Sequence, residues 1–283
     1  MGKIVNQVRF RSLRFAWDLV KIPACAYLIL VVSFFIYQRQ LEYFPDNREF
    51  NLMEFGVAKP FEVITVELRD GLTIRSWYYP PRERQKPVIV FTHGNSGYLA
   101  LRAFRIQPLL EAGYGLVLVG YPGFDGNTGT PNETGIIESA RGAVNNVLGR
   151  GYSLNQIVLH GESLGTTVAV RLASEFNVSA VSLEAPPTSM TDVMFCQYPF
   201  FPMSLLLRDK HDSLRYMSSI QSPLLIIHGE ADTVVPVEQG KAMFAAANEP
   251  KEALYIPNVG HGRELYTEDS QRKLMAFYAR HSK

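Results

Sequence analysis

Serine is a weak nucleophile until a base takes its proton and a third group holds that base in place. The sequence offers a serine, an imidazole and a carboxylate in settings that suit those roles. Ser163 stands in Gly161-Glu162-Ser163-Leu164-Gly165, a G-x-S-x-G spacing. That spacing puts a serine on a sharp turn between a strand and a helix, with glycines where the two must approach closely. At a helix N-terminus the free N–H groups and the helix dipole favour developing negative charge. Asp232 follows His228-Gly229-Glu230-Ala231, and His261 lies in Gly260-His261-Gly262. His261 would accept the Ser163 proton, while Asp232 would orient the imidazole and stabilise the imidazolium. A tetrahedral oxyanion also needs two N–H donors. Leu164, just after the nucleophile, supplies one, and the N–H of Asn95 in the loop His93-Gly94-Asn95 supplies the other.

Each of these residues also has a plainer reading. G-x-S-x-G is short and common, and it describes any strand–helix junction built from small residues. The chain has six histidines, so one late in the sequence says little alone. His93, His160 and His228 each precede a glycine after an apolar run, which suits bonds to loop backbone, and His211 and His281 are expected in solvent. Asp232 could cap the helix that begins near Val237. Asp125, Asp192 and Glu184 are rival acids. Glu162 is expected to point away from an oxyanion whose charge it would oppose. No H-E-x-x-H motif and no Cys/His cluster occurs, so no metal or cofactor is expected.

The elements that would position these groups alternate between strand and helix. Val88–Thr92, Gly115–Val119, Ile157–Leu159, Val178–Leu183, Pro223–Ile227 and Ala253–Ile256 are short apolar runs of the kind found in a parallel sheet buried on both faces. Helical patterns separate them at Leu99–Ala112, Thr134–Leu148, Thr166–Glu175 and Val237–Ala247, and Glu264–Arg280 closes the chain. Before them, Phe61–Arg69 and Leu72–Tyr79 alternate about Asp70-Gly71, a hairpin signal. The pattern predicts an α/β fold with a mostly parallel central sheet and helices on both faces. Ser163, Asp232 and His261 then fall just past strand C-termini, which share one edge of such a sheet. About 186–220 the alternation breaks into an aromatic, proline-rich excursion. It reads either as a satellite core or as a short lid over an apolar pocket, and the lid is the reading carried forward.

The N-terminus is different in character. Ile22–Tyr37 carries no charge and follows Lys3, Arg9, Arg11, Arg14 and Lys21. It is expected to be a membrane-anchor helix; a docked or interfacial helix and a cleaved signal are the alternatives, though no small-x-small cleavage site follows. The basic flank would keep the N-terminus in the cytoplasm and place the catalytic domain in the periplasm, lumen or exterior. The organisation expected is therefore a basic amphipathic stretch to residue 21, the helix at 22–37, a linker at 38–60 and the catalytic domain at 61–283. Two sequons, Asn132-Glu133-Thr134 and Asn177-Val178-Ser179, matter only on a lumenal side. The formal net charge of +1 gives no reason to expect nucleic-acid binding. Two cysteines, Cys25 and Cys196, form no disulfide framework.

Taken together, HGNSG (93–97), YPGFDGNTGTPNETG (121–135), GESLG (161–165), LEAPPTSMTDV (183–193), HGEADTVVP (228–236) and GH (260–261) resemble the α/β-hydrolase superfamily over about Glu62–Phe277. The set is similar to membrane-anchored α/β-hydrolase-domain proteins and serine-aminopeptidase-like hydrolases. The resemblance implies the Ser163, Asp232 and His261 triad, with Leu164 and Asn95 at the oxyanion. It implies hydrolysis of an ester, thioester or amide. A small-molecule or lipid ester is the expected substrate, the lipid because a membrane anchor would hold the site near it. A peptidase and a catalytically silent binding module remain the rival readings. Two departures stand out: Tyr121-Pro122-Gly123-Phe124-Asp125-Gly126 where relatives show Y-R-G-Y-G-x-S, and Thr166-Thr167 where a second glycine is usual.

Overall fold

The computed structural model describes residues 2–49 and 61–282, and the side chains of residues 2–19 lie outside that description. The chain divides into two compact units, residues 1–42 and 43–283. The first unit is one helix, α1 (Gly2–Glu42). Within it Val20–Glu42 is long and apolar enough to cross a membrane. Its 23 residues rise about 35 Å at about 1.5 Å each, against a hydrocarbon core of about 30 Å. The helix outlasts the expected boundary at Tyr37 because Gln38–Glu42 holds no helix breaker.

The second unit opens on a two-residue strand, β1 (Phe44–Pro45). A hairpin of β2 (Glu62–Glu67) and β3 (Thr73–Tyr79) follows, antiparallel as Asp70-Gly71 requires. Then come β4 (Val88–Thr92), a two-residue β5 (Ser96–Gly97), α2 (Ala103–Glu111), β6 (Gly115–Leu118), α3 (Glu133–Gly149), β7 (Ile157–Glu162), α4 (Leu164–Ala173) and β8 (Ala180–Glu184). The excursion holds α5 (Met190–Gln197) and the single turn α6 (Met203–Leu206). The chain ends with β9 (Leu224–Gly229), α7 (Val237–Ala246), β10 (Lys251–Ile256) and α8 (Glu268–His281). Eight strands form one sheet in the order β10-β9-β8-β7-β4-β6-β3-β2. The six strands from β10 to β6 are mutually parallel, and β3 joins β6 antiparallel. The outer pair β1–β5 stands apart as a two-stranded sheet.

Alternation along each strand sorts the core into two layers. Val88, Val90, Ile157, Leu159, Val181 and Leu183 pack on the face covered by α3 and α4. Ile89, Phe91, Val158, Leu225 and Ile227 pack on the opposite face with Ile106 and Leu109 of α2 and Leu274 and Phe277 of α8. A strand apolar on both sides has to be central, and β4 and β7 are both fully buried.

Of the linker expected at 38–60, residues 38–42 continue α1, Phe44–Pro45 is a strand, and residues 50–60 lie outside the described part. The segment expected to be helical from Leu99 begins as a 3-10 turn, Leu99–Arg102, before α2. The closing helix starts at Glu268 rather than Glu264, because Thr267 caps it and Gly262–Leu265 forms a separate 3-10 turn.

Candidate active site

Ser163 is the hinge between β7 and α4. Its φ of 51° and ψ of −119° lie where a side-chain-bearing residue is strained. The neighbouring glycines explain how the turn is accommodated. A Cβ on Gly165 would sit 2.0 Å from the carbonyl oxygen of Thr92, and one on Gly161 would sit 2.5 Å from Cα of Thr166. Both are backbone contacts that cannot yield. The Ser163 N–H donates to the carbonyl of Glu184 at 2.8 Å. The N–H and hydroxyl of Thr166 both donate to the Ser163 carbonyl, at 2.9 and 2.6 Å. The strained residue is thus fixed from both sides.

The structure brings Ser163, His261 and Asp232 into one chain of contacts. His261 Nε2 lies 2.9 Å from Ser163 Oγ, across 98 residues of sequence. His261 Nδ1 lies 2.6 Å from Asp232 Oδ2. The other carboxylate oxygen, Oδ1, accepts the N–H groups of Val234 and Val235 at 2.9 and 2.8 Å. Burial works to raise the Asp232 pKa. Hydrogen bonds from His228 and His261 and the Val235 N–H outweigh it and hold the carboxyl well below the usual range. His228 anchors this loop a second time, with Nε2 2.9 Å from the Val235 carbonyl.

The loop after β4 lies against Ser163, since a Cβ on Gly94 would meet Cβ of Ser163 at 3.5 Å. Leu164 opens α4, whose first-turn N–H groups have no partner within the helix. Asn95 is half-buried, and its carbonyl accepts the N–H of Phe44 at 2.8 Å. His93 is buried beneath this loop, with Nδ1 2.8 Å from the Gly94 carbonyl and its ring stacked on Tyr121 at 3.9 Å. Burial holds the imidazole neutral, with its pKa pushed down to about 3.

The rival acids are engaged elsewhere. Asp192 lies in the first turn of α5, which Ser189 caps, and its carboxylate accepts from the hydroxyls of Thr188 and Ser189 at 2.6 and 2.7 Å. Asp125 caps the 3-10 turn by accepting the Leu99 N–H at 2.7 Å. Its second oxygen has no hydrogen-bond partner and faces the equally unpartnered Nε2 of His93 at 3.9 Å. Burial raises this carboxyl to about 7. Glu184 is buried in an ion pair with Arg105, and its other oxygen lies 3.2 Å from Nε2 of His160. Glu162 turns to Arg102, whose Nε donates at 3.0 Å. Burial alone would raise its pKa, but Arg102 and Arg105 bring it to about 2. The negative charge beside Ser163 is therefore balanced below the site.

Arg102, at the end of the 3-10 turn, and Arg105, in α2, carry no local sequence signal that they face inward; the one clue is the pair of glutamates at strand ends, Glu162 and Glu184. His211, expected in solvent, is buried instead, between the Tyr43 hydroxyl at 2.8 Å and the Thr167 hydroxyl at 2.9 Å. Thr167, in the first turn of α4, supplies the second of these contacts through its hydroxyl. His281 is part-buried beside Phe277, with the ring centroids 4.8 Å apart. Among the described residues no cluster of His, Cys, Asp and Glu could hold a metal ion.

A family model described as an alpha/beta hydrolase domain matches residues 125–264. The Mycobacterium tuberculosis protein Rv2307c is 34% identical over 247 residues, covering 85% of this chain and 88% of that one. Among solved structures, the Pyrococcus furiosus esterase Pf2001 aligns with a TM-score of 0.70 at 20% identity, over 85% of this chain and 98% of that one. A Mycobacterium tuberculosis puromycin-hydrolyzing peptidase aligns with a TM-score of 0.62 at 18% identity, over 78% of this chain and 39% of that one. The two structural likenesses are likenesses of fold.

Proposed function

This chain belongs to the alpha/beta-hydrolase family, and from that premise we propose that it is a membrane-anchored serine hydrolase of carboxylic esters or thioesters. The observation that carries the reading is the unbroken contact from Asp232 through His261 to a strained, helix-capping Ser163. Ser163 Oγ attacks the acyl carbonyl as His261 Nε2 takes its proton, and Asp232 stabilises the imidazolium. The oxyanion forms against the Leu164 N–H and the 93–95 loop. The imidazolium then protonates the departing alcohol or thiol, leaving an acyl-Ser163 ester. Water, deprotonated by His261, releases the acid and restores the serine.

Amide hydrolysis would use the same machinery, and the likeness to a puromycin-hydrolyzing peptidase keeps it as the second reading. An aminopeptidase needs a carboxylate available to the substrate amine. The two at the strand ends beside Ser163, Glu162 and Glu184, are occupied by Arg102 and Arg105, which favours esters. The excursion from about 186 to 220 serves as a lid on an acyl pocket, consistent with the apolar side chains of Phe195 and Leu205 at its surface. Substrate comes from, or lies near, the membrane that Val20–Glu42 is long enough to span. The basic N-terminal flank keeps that end in the cytoplasm and the hydrolase unit on the far side.

Fluorophosphonate labelling and turnover of p-nitrophenyl esters of graded chain length, with wild type beside Ser163→Ala, test the reading. Labelling and turnover that both vanish in the variant are expected. Turnover that survives Ser163→Ala would overturn it, and p-nitroanilide cleavage exceeding ester cleavage would shift it to the amide reading.

A further inference from the structure

We propose that the segment Tyr43–Glu49, which follows α1 directly in sequence, is a positioning element for the oxyanion side of the site. The inference rests on the serine-hydrolase reading above. The segment is stitched to the 93–98 loop along one edge. The Phe44 N–H donates to the Asn95 carbonyl at 2.8 Å, and the Asp46 N–H donates to the Gly97 carbonyl at 3.2 Å. Phe44 and Pro45 pair in parallel register with Ser96 and Gly97. Arg48 lies over the Tyr98 ring at 4.6 Å and is itself held by the Asp46 carboxylate.

Its other edge holds the loop after β6. The Asp125 N–H donates to the Asp46 carbonyl at 3.1 Å. Arg75 Nη2 bridges Glu49 Oε1 at 3.1 Å and the Gly126 carbonyl at 2.8 Å. At the start of the segment, Tyr43 reaches His211 of the excursion. Seven residues therefore tie together the 93–98 loop beside Ser163, the loop after β6 and the excursion.

The loop needs such support. Gly94-Asn95-Ser96-Gly97 is a run of small residues, and Gly97 has φ +75°. His93 Nδ1 also lies 2.8 Å from the Gly94 carbonyl, and Arg102 donates to the Ser96 carbonyl at 2.8 Å. An oxyanion donor lowers the barrier only if it is in place before charge arrives. A displacement of about 1 Å in a reacting geometry can cost about a hundredfold. Fixing the Asn95 carbonyl through Phe44 fixes the orientation of the residue whose N–H faces the developing charge.

The test uses the full chain in detergent micelles. Phe44→Pro removes the N–H that binds Asn95, while Phe44→Ala keeps it and removes only a ring that is 52% exposed. Three quantities are measured: kcat and KM for a p-nitrophenyl ester, the rate ratio of that ester to its thionoester, and the melting temperature. Sulfur accepts hydrogen bonds poorly, so an intact oxyanion site favours the oxygen substrate and a loosened one loses that preference. Partial unfolding lowers both rates alike and leaves the ratio unchanged. Phe44→Pro is expected to lower kcat by about tenfold to a hundredfold, leave KM within about twofold, and reduce the ratio by about fivefold or more. Phe44→Ala is expected to keep the wild-type ratio. A wild-type ratio in Phe44→Pro, whatever its melting temperature, overturns the proposal while the hydrolase reading stands. Wild-type hydrolysis that is indifferent to Ser163→Ala overturns that reading and this proposal with it.

Discussion

Replacing Arg105 and Glu184, singly and together, separates what their ion pair does for stability from what it does for His261. Both side chains are buried, and each is the other's counter-charge. Arg105 also donates through Nη2 to the Gly262 carbonyl at 2.5 Å, one residue past His261. The Glu184 carbonyl holds the Ser163 N–H at 2.8 Å. One buried pair thus touches the backbone on both sides of the nucleophile–base contact. Removing one partner leaves an uncompensated buried charge, at a cost of about 3–5 kcal/mol. That is a large share of the roughly 5–15 kcal/mol that holds a domain folded. His160 offers Glu184 little compensation, because burial lowers its pKa to about 3 and keeps it neutral. Arg105→Met should show that loss in full, and Glu184→Leu a smaller one, because Arg105 still faces the Glu162 charge. The double variant should recover most of it, since an apolar pair of similar volume is often neutral against a buried ion pair. It does not restore the bond to Gly262. The His261 loop stays loosened, and kcat should remain about tenfold down, equivalent to about 1.4 kcal/mol. Urea denaturation of the four proteins, with kcat on the same preparations below the transition, measures both quantities. A double variant with wild-type kcat would show that Arg105 has no hold on His261 and would refute the reasoning.

Asp232→Asn should keep the fold and lower kcat by about 10⁴, because the amide no longer selects the imidazole tautomer that accepts the Ser163 proton; a loss under tenfold in steady-state assays would point to another acid. Gly165→Ala should express poorly or melt far below wild type, as its Cβ would meet the Thr92 backbone, whereas Gly149→Ala, with open space around it, should stabilise by about 0.5–1 kcal/mol. Equal melting temperatures for these two variants would contradict the packing described. Asp125 has its carboxyl raised to about 7, so between about pH 4 and 7 the folded state holds more protons than the unfolded one. Its contribution to stability is fully present below about pH 4 and is lost as pH rises through 7. Asp125→Asn should therefore gain on wild type in urea midpoint from pH 5 to pH 8, and parallel midpoints across that range would count against the assignment.

What the sequence made legible is what repeats locally. Apolar runs such as Val88–Thr92 and Ile157–Leu159 announce buried strands because every side chain meets a core layer. The turn at Ser163 is visible because two glycines have steric reasons to be there. Asp232 and His261 could be placed because strand ends share an edge in a parallel sheet. The elements that escaped notice depend on distant partners. Phe44–Pro45 is two residues long, has no periodicity, and owes its strand conformation to a loop about fifty positions later. Arg102 and Arg105 look like the solvent side of a helix until Glu162 and Glu184 are seen beneath them. His211 has a φ of 43° and a buried ring, neither of which local sequence foretells.

The separation of 98 positions between Ser163 and His261 also bears on when this chain can act. An unfinished or clipped polypeptide that stops before His261 carries the serine without its base. One that stops before Tyr278 leaves His160 of β7 and Ser182 of β8 without the hydroxyl they share at 2.9 and 2.5 Å. On the proposed triad, hydrolytic competence would wait until His261 and Tyr278 have both joined a sheet whose serine is already in place.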